Sequence, residues 1–469
     1  MRPHKTTLFA VLLLLLTCYG SAQTQYLLTT SPSAVQDVCS RHGLTGASTV
    51  WTNNSSTIGV YLVNPPSSYV APTLESEVSS DVEVVQFERD QQVNVPELTA
   101  ASATVAQSTT AVLDGVAKRT VVSFFGSNVA SYYVQQPALT ILRVAEARSA
   151  TGLTGVGIVA VIDTGVDPNH PALASVLTPG YDFTRNVAGI PNELNDLDPA
   201  VAAILTQSTT AVLDSNTIAH AAGGVLPILQ QSTTAVLDQS TTAVLDQSTT
   251  AVLDQSTTAV LDGVLPKAFG HGTMTAGLVH LIAPTARIMP LKAFFADGTS
   301  DVANIVSAIY YAVDHGASVI NMSFEMPAPS PGIRAALNYA QNHNVTLVAA
   351  AGNDSSTSAV WPAALSNVLS IGSTSNSDVR SSFSNYGSPD VVFAAPGEAI
   401  VTTYPGNHYA AAWGTSFSAP MVAGAVVLLQ QKNYQGGFSW IMNAFDKSTV
   451  QVPSMNRGRV DFYKALLYQ

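Results

Sequence analysis

The amino-acid sequence predicts an α/β fold with a doubly wound, mostly parallel sheet, preceded by a small α+β domain. Short apolar runs recur over the later part of the chain, and helical stretches alternate with them. Near the start, a separate group of segments follows the order β-α-β-β-α-β. Continuous apolar runs are typical of strands buried on both faces of a parallel sheet, and their alternation with helices predicts the doubly wound architecture.

Composition narrows the class of protein. The chain has 469 residues, of which 46% are hydrophobic and 11% charged, so it is long enough for two or more domains and is far from a disordered composition. Its formal net charge of -12 supplies no basic surface for nucleic acid. We therefore expect no nucleic-acid partner.

The first residues are typical of an export signal. Arg2 and Lys5 precede an apolar stretch at 8–16, and small residues at 20–22 form a cleavage site, which predicts a signal peptide at 1–22. No later apolar run has the length of a membrane span, so we expect a secreted, extracellular or periplasmic protein without membrane contact after signal removal. Cys39 is then the one remaining cysteine, which excludes an intramolecular disulfide.

Residues 23–93 are predicted to form the small domain. Strands are expected at 26–30, 48–52, 58–63 and 82–90, with helices at 33–42, capped by Ser33, and at 67–78. This order predicts a ferredoxin-like βαββαβ domain with an antiparallel sheet. Residues 94–130 lack a strong period and are interpreted as a linker or processing region, which contains the dibasic pair Lys118 and Arg119.

Residues 131–469 are predicted to form the doubly wound domain. Apolar runs at 155–163, 287–294, 319–323, 345–351 and 368–372 are expected to be its strands, and the stretches at 302–315 and 332–342 its helices. Sites in open sheets of this kind lie at the carboxyl ends of the strands, where Asp163 and Asn353 fall.

A repeated octad interrupts this pattern. Gln-Ser-Thr-Thr-Ala-Val-Leu-Asp occurs in tandem at 231–262 and singly at 207–214 and 107–114, so we place a repeat-containing insertion at about 190–265. The period matches neither a heptad coiled coil nor a common solenoid. Short helices, short strands with Asp-Gln-Ser turns, and recent duplication with little function all remain open.

Three side chains have the chemistry of nucleophilic catalysis. Ser416 follows Gly414 and precedes Pro420, which is predicted to open a buried apolar helix whose positive end would favour an anionic oxygen. His271, between two glycines at another predicted helix start, can serve as a general base. Asp163, at the end of a buried strand, can orient that imidazole and stabilise its protonated form.

Asn353 supplies a fourth part. It follows Gly352 at the end of a predicted buried strand, and its amide N–H can point at a developing oxyanion. A helix cap, a packed histidine and an ordinary turn would explain Ser416, His271 and Asn353 one at a time. Their joint occurrence with Asp163 favours catalysis.

These motifs, in this order, resemble the subtilisin, or subtilase, family of serine endopeptidases from about residue 130 to the end. The resemblance implies that Ser416 is the nucleophile, His271 the base, Asp163 its orienting acid and Asn353 an oxyanion donor. It also implies that polypeptide substrates pair with the segment that begins at Ser323; the implied substrate-binding residues are Ser323, Phe324, Glu325 and Gly352.

The same resemblance implies a zymogen. In this family an N-terminal propeptide assists folding and inhibits the enzyme, and its last strand leads the chain through the active site. Residues 23–93 are similar to it in order, and residues 82–90 are similar to that last strand. The propeptide is therefore expected to be an intramolecular inhibitor that is removed by cleavage between residues 91 and 135.

The sequence departs from the family pattern at three places. Met274 stands where a second, structural histidine is usual, and Ser323, Phe324 and Glu325 replace a small, Gly-rich edge of the cleft, so that Glu325 is expected to favour basic side chains. The stretch between Asp163 and His271 is unusually long, but the entropic cost of closing a loop rises slowly with its length.

No cofactor or metal is expected to be required. A calcium-binding loop that interrupts the helix after His271 in many relatives is absent, while carboxylates near Asp182, or at Asp196 and Asp198, leave calcium possible without placing it. The favoured function is that of an exported, monomeric serine endopeptidase that forms an acyl-enzyme on Ser416. Two alternatives are a non-catalytic binding scaffold whose insertion closes the cleft, and a repeat-bearing adhesion protein.

Overall fold

The computed structural model describes residues 24–53, 55–95, 110–112, 120–207, 265–326, 328–357, 360–387 and 391–469. The chain divides into two compact units, Met1–Gln91 and Gln92–Gln469. The predicted signal peptide, the dibasic pair and the tandem octads lie outside the described residues.

The first unit is a four-stranded antiparallel sheet with two helices. Its elements are β1 (Tyr26–Thr30), α1 (Val35–His42), β2 (Thr45–Thr52), β3 (Gly59–Asn64), α2 (Ala71–Ser79) and β4 (Val84–Arg89). The strands pair in the order β2-β3-β1-β4. Their inner face packs on the two helices around the stacked rings of Tyr26 and Phe87.

One local prediction in this unit was wrong. Ser33 does not cap α1, because the N-cap position is Ala34 and the hydroxyl of Ser31 accepts the Ala34 N–H at 3.2 Å. Helix α2 begins at Ala71 with Pro72 in its first turn, where the missing proline N–H costs no intrahelical hydrogen bond.

The second unit is organised on an eight-stranded sheet in the order β11-β10-β12-β9-β14-β15-β16-β17. All neighbouring pairs are parallel except β10 with β11. The strands are β9 (Ile158–Asp163), β10 (Gly180–Asp182), β11 (Val187–Gly189), β12 (Arg287–Lys292), β14 (Val319–Met322), β15 (Thr346–Ala350), β16 (Val368–Thr374) and β17 (Phe393–Pro396). The mostly parallel α/β sheet predicted from the apolar runs is confirmed.

The second unit also contains shorter strands outside this sheet. They are β5 (Gln92–Asn94), β6 (Thr110–Val112), β7 (Val121–Phe124), β8 (Ser127–Ala130), β13 (Thr299–Asp301), β18 (Ile400–Tyr404) and β19 (His408–Ala412). Residues 121–130, predicted to be part of a linker, form the β7–β8 hairpin. The octad at 107–114 is described only at β6, which pairs antiparallel with β19, so this piece of one copy is extended.

The helices of the second unit are α3 (Ser131–Val134), α4 (Pro137–Ile141), α5 (Val144–Thr151), α6 (Pro199–Gln207), α7 (His271–Ile282), α8 (Val302–Asp314), α9 (Pro331–Asn342), α10 (Thr415–Lys432), α11 (Gly437–Asp446) and α12 (Phe462–Leu467), with a 3-10 helix at Glu193–Asp196. Helix α7 is buried along its whole length and α10 is buried from Thr415 to Leu429. These two helices pack on each other within the main core, and both begin at the carboxyl end of the sheet.

Among the described residues, no helix combines the length and the apolar character that crossing a membrane requires.

Candidate active site

Asp163 and His271 form a buried pair. Asp163 is the last residue of β9 and His271 the first of α7, and their side chains meet at 2.7 Å between Oδ1 and Nδ1 although 108 residues separate them in sequence. The two residues are 1% and 2% exposed. A carboxylate that accepts from Nδ1 keeps the proton on that nitrogen and directs the other ring nitrogen, Nε2, away from the pair.

Further donors hold the Asp163 carboxylate. The Thr164 N–H donates to Oδ1 at 2.8 Å, and the Thr275 hydroxyl donates to Oδ2 at 3.1 Å. A buried carboxylate is tolerated only when its oxygens are hydrogen-bonded, and these contacts supply hydrogen bonds to both oxygens of Asp163.

The close approach of β9 and α7 depends on a glycine. A Cβ built on Gly272 would lie 2.1 Å from the Gly165 carbonyl oxygen, which no side chain could accommodate without displacing the backbone. The glycine beside His271 therefore permits the contact between the turn after Asp163 and the start of α7.

Ser416 lies in the first turn of α10. Gly414 precedes the helix with a φ of 146°, a conformation that side chains disfavour, and the helix begins at Thr415. The prediction that Pro420 opens this helix was wrong, because the proline lies inside it. Ser416 is thus a helical residue and does not lie just ahead of the helix.

The proline inside α10 connects Ser416 to Ser323. Pro420 has no N–H to donate to the carbonyl of Ser416 four residues earlier. The Ser323 hydroxyl donates to that carbonyl at 3.0 Å and receives a hydrogen bond from the Asn321 side chain, also at 3.0 Å. Ser323 therefore anchors the turn that carries Ser416.

Asn353 lies beside the start of α10. Its Oδ1 accepts both the Thr415 N–H and the Thr415 hydroxyl, each at 2.9 Å. Because a backbone N–H can only donate, this contact identifies the accepting atom as the amide oxygen and orients Nδ2 away from the helix. Neither Asn353 Nδ2 nor Ser416 Oγ hydrogen-bonds to any residue that the structure describes, and both residues are buried.

The Asp163–His271 pair and the residues Ser416 and Asn353 belong to one site. Phe417, which follows Ser416, packs on the imidazole of His271 with 5.5 Å between ring centroids. The N–H of Gly352, next to Asn353, donates to the Thr415 hydroxyl at 3.2 Å. Asp163, His271, Ser416 and Asn353 are thus brought together at the carboxyl ends of β9 and β15 and at the first turns of α7 and α10.

An extended segment of the chain already pairs with residues next to this site. Strand β5 pairs antiparallel with β13, and the Asn94 carbonyl accepts the N–H of Glu325 at 3.2 Å. The next residue, Val95, donates its N–H to the Gly298 carbonyl at 3.0 Å. Backbone donors and acceptors on the two sides of this segment can therefore hold an extended peptide.

The predicted substrate-binding residues lie after neighbouring strands. Ser323, Phe324 and Glu325 follow β14, and Gly352 follows β15. Phe324 is fully buried against Phe294, whereas the carboxylate of Glu325 lies against Gly352, since a Cβ built there would be 2.7 Å from Oε2. Phe324 thus supports the segment from the core and lines no surface.

Sequence reasoning missed Glu193, a fully buried carboxylate that bonds to Thr164 and Thr273. Burial raises its pKa to about 7, although the two threonines and the charge of Lys292 oppose that rise. The threonines are adjacent to the Asp163 and His271 motifs and could have been noted. Glu193 lies in an irregular stretch where no periodicity or motif marks it.

Two of the three carboxylates considered for calcium, Asp182 and Asp196, pair with basic side chains. Asp182 accepts from Arg185 at 2.9 Å, and Asp196 pairs with the buried ammonium of Lys292 at 2.8 Å. Among the described residues, no group of three or more His, Cys, Asp or Glu side chains could hold a metal ion.

The fold and the site define a class of protein, an α/β hydrolytic protein with a buried Asp–His pair and a helix-borne serine. Residues 155–451 match the subtilase family, Peptidase_S8. The chain therefore belongs to the subtilase family of serine proteases.

Individual relatives are consistent with this family assignment. The chain is 36% identical to Subtilisin BL of Lederbergia lenta over 197 residues, which is 40% of this chain and 72% of that protein. It is 37% identical to Thermitase of Thermoactinomyces vulgaris over 211 residues, covering 42% and 75%. Among solved structures, fervidolysin from Fervidobacterium pennivorans, a keratinolytic enzyme related to subtilisin, matches with a TM-score of 0.60 at 18% identity, covering 95% of this chain and 61% of that one. The last similarity concerns the fold.

Proposed function

We propose that this chain is an exported serine endopeptidase, made as a zymogen, that hydrolyses peptide bonds through an acyl-enzyme on Ser416. The observation that carries the proposal is the 2.7 Å contact between His271 Nδ1 and Asp163 Oδ1 at the first turn of α7, in the site that also contains Ser416 at the first turn of α10. An imidazole held in this way has its Nε2 available as a base.

The geometry supports the following proposed roles. Ser416 Oγ attacks the substrate carbonyl carbon while His271 takes the hydroxyl proton, and Asp163 stabilises the imidazolium that results. The carbonyl oxygen becomes negative and receives the Asn353 amide N–H, at the positive end of α10. His271 then protonates the leaving amine, the C–N bond breaks, and water releases the acyl group by the same steps in reverse.

Substrate recognition is assigned to the cleft between β13 and residues 323–325. The pairing of β5 with β13 and of Asn94 with Glu325 supports an extended, antiparallel mode of peptide binding. Residues opposite each other in an antiparallel pair present their side chains on one face. In a bound peptide, the residue opposite Glu325 would present its side chain on the same face as Glu325. The Glu325 carboxylate would select Lys or Arg at that residue or at the peptide residues two positions away.

The zymogen proposal is based on the same segment. Residues 92–95 would occupy a substrate-like position at the end of the proposed propeptide, residues 23–93, so the chain itself would block the cleft until it is cut beyond Val95. The segment carries no basic side chain for Glu325 to select, which would make it a poor substrate and a better inhibitor. Export is proposed from the signal-like residues 1–22, and a monomer acting on polypeptides is expected.

The non-catalytic scaffold is not favoured, because the described residues retain Asp163, His271, Ser416 and Asn353, with Asp163 bonded to His271 and Asn353 bonded to the start of α10. The adhesion alternative rests on octads that lie almost entirely outside the described residues.

The test is labelling of the purified, exported full-length chain with a fluorophosphonate, alongside Ser416→Ala, with intact mass followed over time. We expect labelling at Ser416 and loss of about the first hundred residues, both absent in the variant, whose turnover should fall about a million-fold as for the nucleophile in this family. A wild type that stays full length and unlabelled, even after mild proteolysis of its N-terminal unit, would contradict the proposal.

A further inference from the structure

Glu193 is a buried carboxylate that no recognised motif contains. It begins the 3-10 helix at Glu193–Asp196, in the long stretch between Asp163 and His271, and it is fully buried. A buried carboxylate is costly unless it has several donors, so its contacts indicate what it holds in place.

Glu193 contacts residues that lie next to Asp163 and close to His271 in the sequence. Oε1 accepts the hydroxyl of Thr164, the residue after Asp163. Oε2 accepts the N–H of Thr273 at 3.1 Å and also its hydroxyl, two residues after His271. One carboxylate thus joins the end of β9 to the first turn of α7.

The direction of these hydrogen bonds is set by proton counting. Each threonine hydroxyl has a single proton. Because both protons go to Glu193, the oxygens are left to accept backbone donors. Thr164 Oγ1 accepts the Gly272 N–H at 2.9 Å, and Thr273 Oγ1 accepts the Asp167 N–H at 2.8 Å. The carboxylate therefore organises contacts that cross between the two segments in both directions.

The Thr164 hydroxyl has a second acceptor within reach. Asp163 Oδ1 lies 3.3 Å from Thr164 Oγ1 and is the same oxygen that accepts from His271. Without Glu193, the Thr164 proton would turn to Asp163 Oδ1 and compete with the imidazole for it. Asp163 would then stabilise a protonated His271 less well.

We propose that Glu193 is a positioning residue of the catalytic pair, which holds Thr164 and Thr273 so that Asp163 Oδ1 serves His271 alone. The inference rests on the proposed function. The charged groups that face Glu193 are Asp163 on β9 and Lys292 on β12, whose ammonium also donates to the Thr164 carbonyl at 2.7 Å.

The test compares Glu193→Gln with wild type in the matured, full-length-expressed enzyme. A glutamine cannot accept from both threonines, because its NH₂ group would face a donor. We expect kcat per fluorophosphonate-titrated site to fall about 10- to 100-fold with KM within about twofold, as for small misplacements of catalytic groups. The acidic limb of the pH profile of kcat/KM should move to lower pH.

Matched variants separate positioning from general stability. Asp182→Asn makes the same carboxylate-to-amide change at a residue paired with Arg185, and it should leave kcat and the pH profile unchanged. Thr273→Val removes the hydroxyl and should lower kcat, whereas Thr273→Ser keeps it and should restore kcat to near the wild-type value. These variants decide the question if Glu193→Gln fails to fold.

A Glu193→Gln enzyme with wild-type kcat per titrated site and an unmoved pH profile, changed only in melting temperature, would overturn the inference. Equal kcat for Thr273→Val and Thr273→Ser would do the same. A wild type that neither labels nor hydrolyses would instead overturn the proposed function, and this inference with it.

Discussion

The two halves of the site are built in opposite ways. In the charged half, Asp163 and His271 are bonded to each other and surrounded by buried donors from Thr164 and Thr275. In the open half, Ser416 and Asn353 are equally buried, yet Ser416 Oγ and Asn353 Nδ2 bond to none of the described residues. An unmade buried hydrogen bond costs about 1 to 3 kcal/mol, so the open half sacrifices stability that the charged half retains.

The difference corresponds to when each half needs its partners. In the proposed mechanism Asp163 must hold the imidazole before the substrate arrives, and its carboxylate is already hydrogen-bonded in the resting protein. In the same proposed mechanism, the Asn353 amide serves an oxygen that becomes negative only during the reaction, and a donor without a ground-state partner can bind that oxygen without first breaking a bond.

The largest effect is expected from removing the Asn353 donor. Asn353→Leu removes both the donor and the oxygen that caps α10, whereas Asn353→Asp keeps an oxygen for Thr415 and removes the N–H. If Asn353 is the oxyanion donor, both should lower kcat about 10²- to 10³-fold, the range for removal of one such donor from a subtilisin, with KM little changed. Asn353→Leu should also lower the melting temperature, since a lost cap costs about 1 kcal/mol.

Steady-state kinetics with a fluorogenic peptide and thermal unfolding in a Ser416→Ala background would measure these two effects separately. The comparison between the halves fails if Asn353→Leu retains wild-type kcat, since Nδ2 would then have no part in the reaction.

A second prediction concerns the charged half, through His280 on the same helix as His271. His280 is 1% exposed, and neither of its ring nitrogens hydrogen-bonds to a described residue. Burial lowers its pKa to about 4, and Arg148 and His170 add to the effect. In the unfolded chain His280 is protonated below about pH 6.5, whereas in the folded chain it is protonated only below about pH 4. The contribution of neutral, buried His280 to the free energy of unfolding is therefore fully present above pH 6.5. As the pH falls from 6.5 to 4, the free energy of unfolding decreases by about 3 kcal/mol.

His280→Leu should remove that loss. Urea unfolding of the Ser416→Ala protein at pH 7 and pH 4.5 should show a smaller difference between the two pH values in the His280→Leu variant. Replacement of the exposed His343 by Gln is the matched control. It should not alter the difference in the free energy of unfolding between pH 7 and pH 4.5. If the free energy of unfolding of His280→Leu differs between pH 7 and pH 4.5 as much as it does without this change, acid destabilises the protein through groups other than His280.

Much of the fold could be predicted because burial leaves a signal in sequence. Helix α8 was expected at 302–315 and runs over Val302–Asp314, and the apolar runs correspond to β9, β12, β14, β15 and β16. Strand β17 and the β18–β19 hairpin were not predicted. The predicted helix start at Pro420 failed because Ser323 supplies the hydrogen bond that the proline removes, a compensation between residues distant in sequence.

The candidate site divides in the same way. Asp163, His271, Asn353 and Ser416 lie at strand ends and helix starts, which local patterns can locate. Glu193 and the anchoring of Asn353 by Thr415 depend on tertiary contacts between segments far apart in the chain. No local pattern encodes such contacts, so the supporting residues could be found only in the structure.

The smallest effect is expected at Glu325, beside the open half. Its carboxylate lies against Gly352, next to Asn353, and its N–H pairs with the Asn94 carbonyl as it would with a bound peptide. Glu325 is 5% exposed, and an ion pair with a buried carboxylate is screened less than one on the surface, so peptides with Lys should be preferred over their Met counterparts about tenfold in kcat/KM, and less at high salt.

Peptide sets that vary Lys, Met and Glu at each of the three positions before the scissile bond would measure this preference. Glu325→Gln should reduce it to within about twofold, because the amide keeps the shape of the side chain but not its charge. Asp354→Asn, an exposed neighbour of Asn353, is the control and should keep the preference. If Glu325→Gln cleaves the Lys peptides as selectively as wild type, the charge at Glu325 does not choose the substrate, and the open half selects peptides by backbone pairing alone.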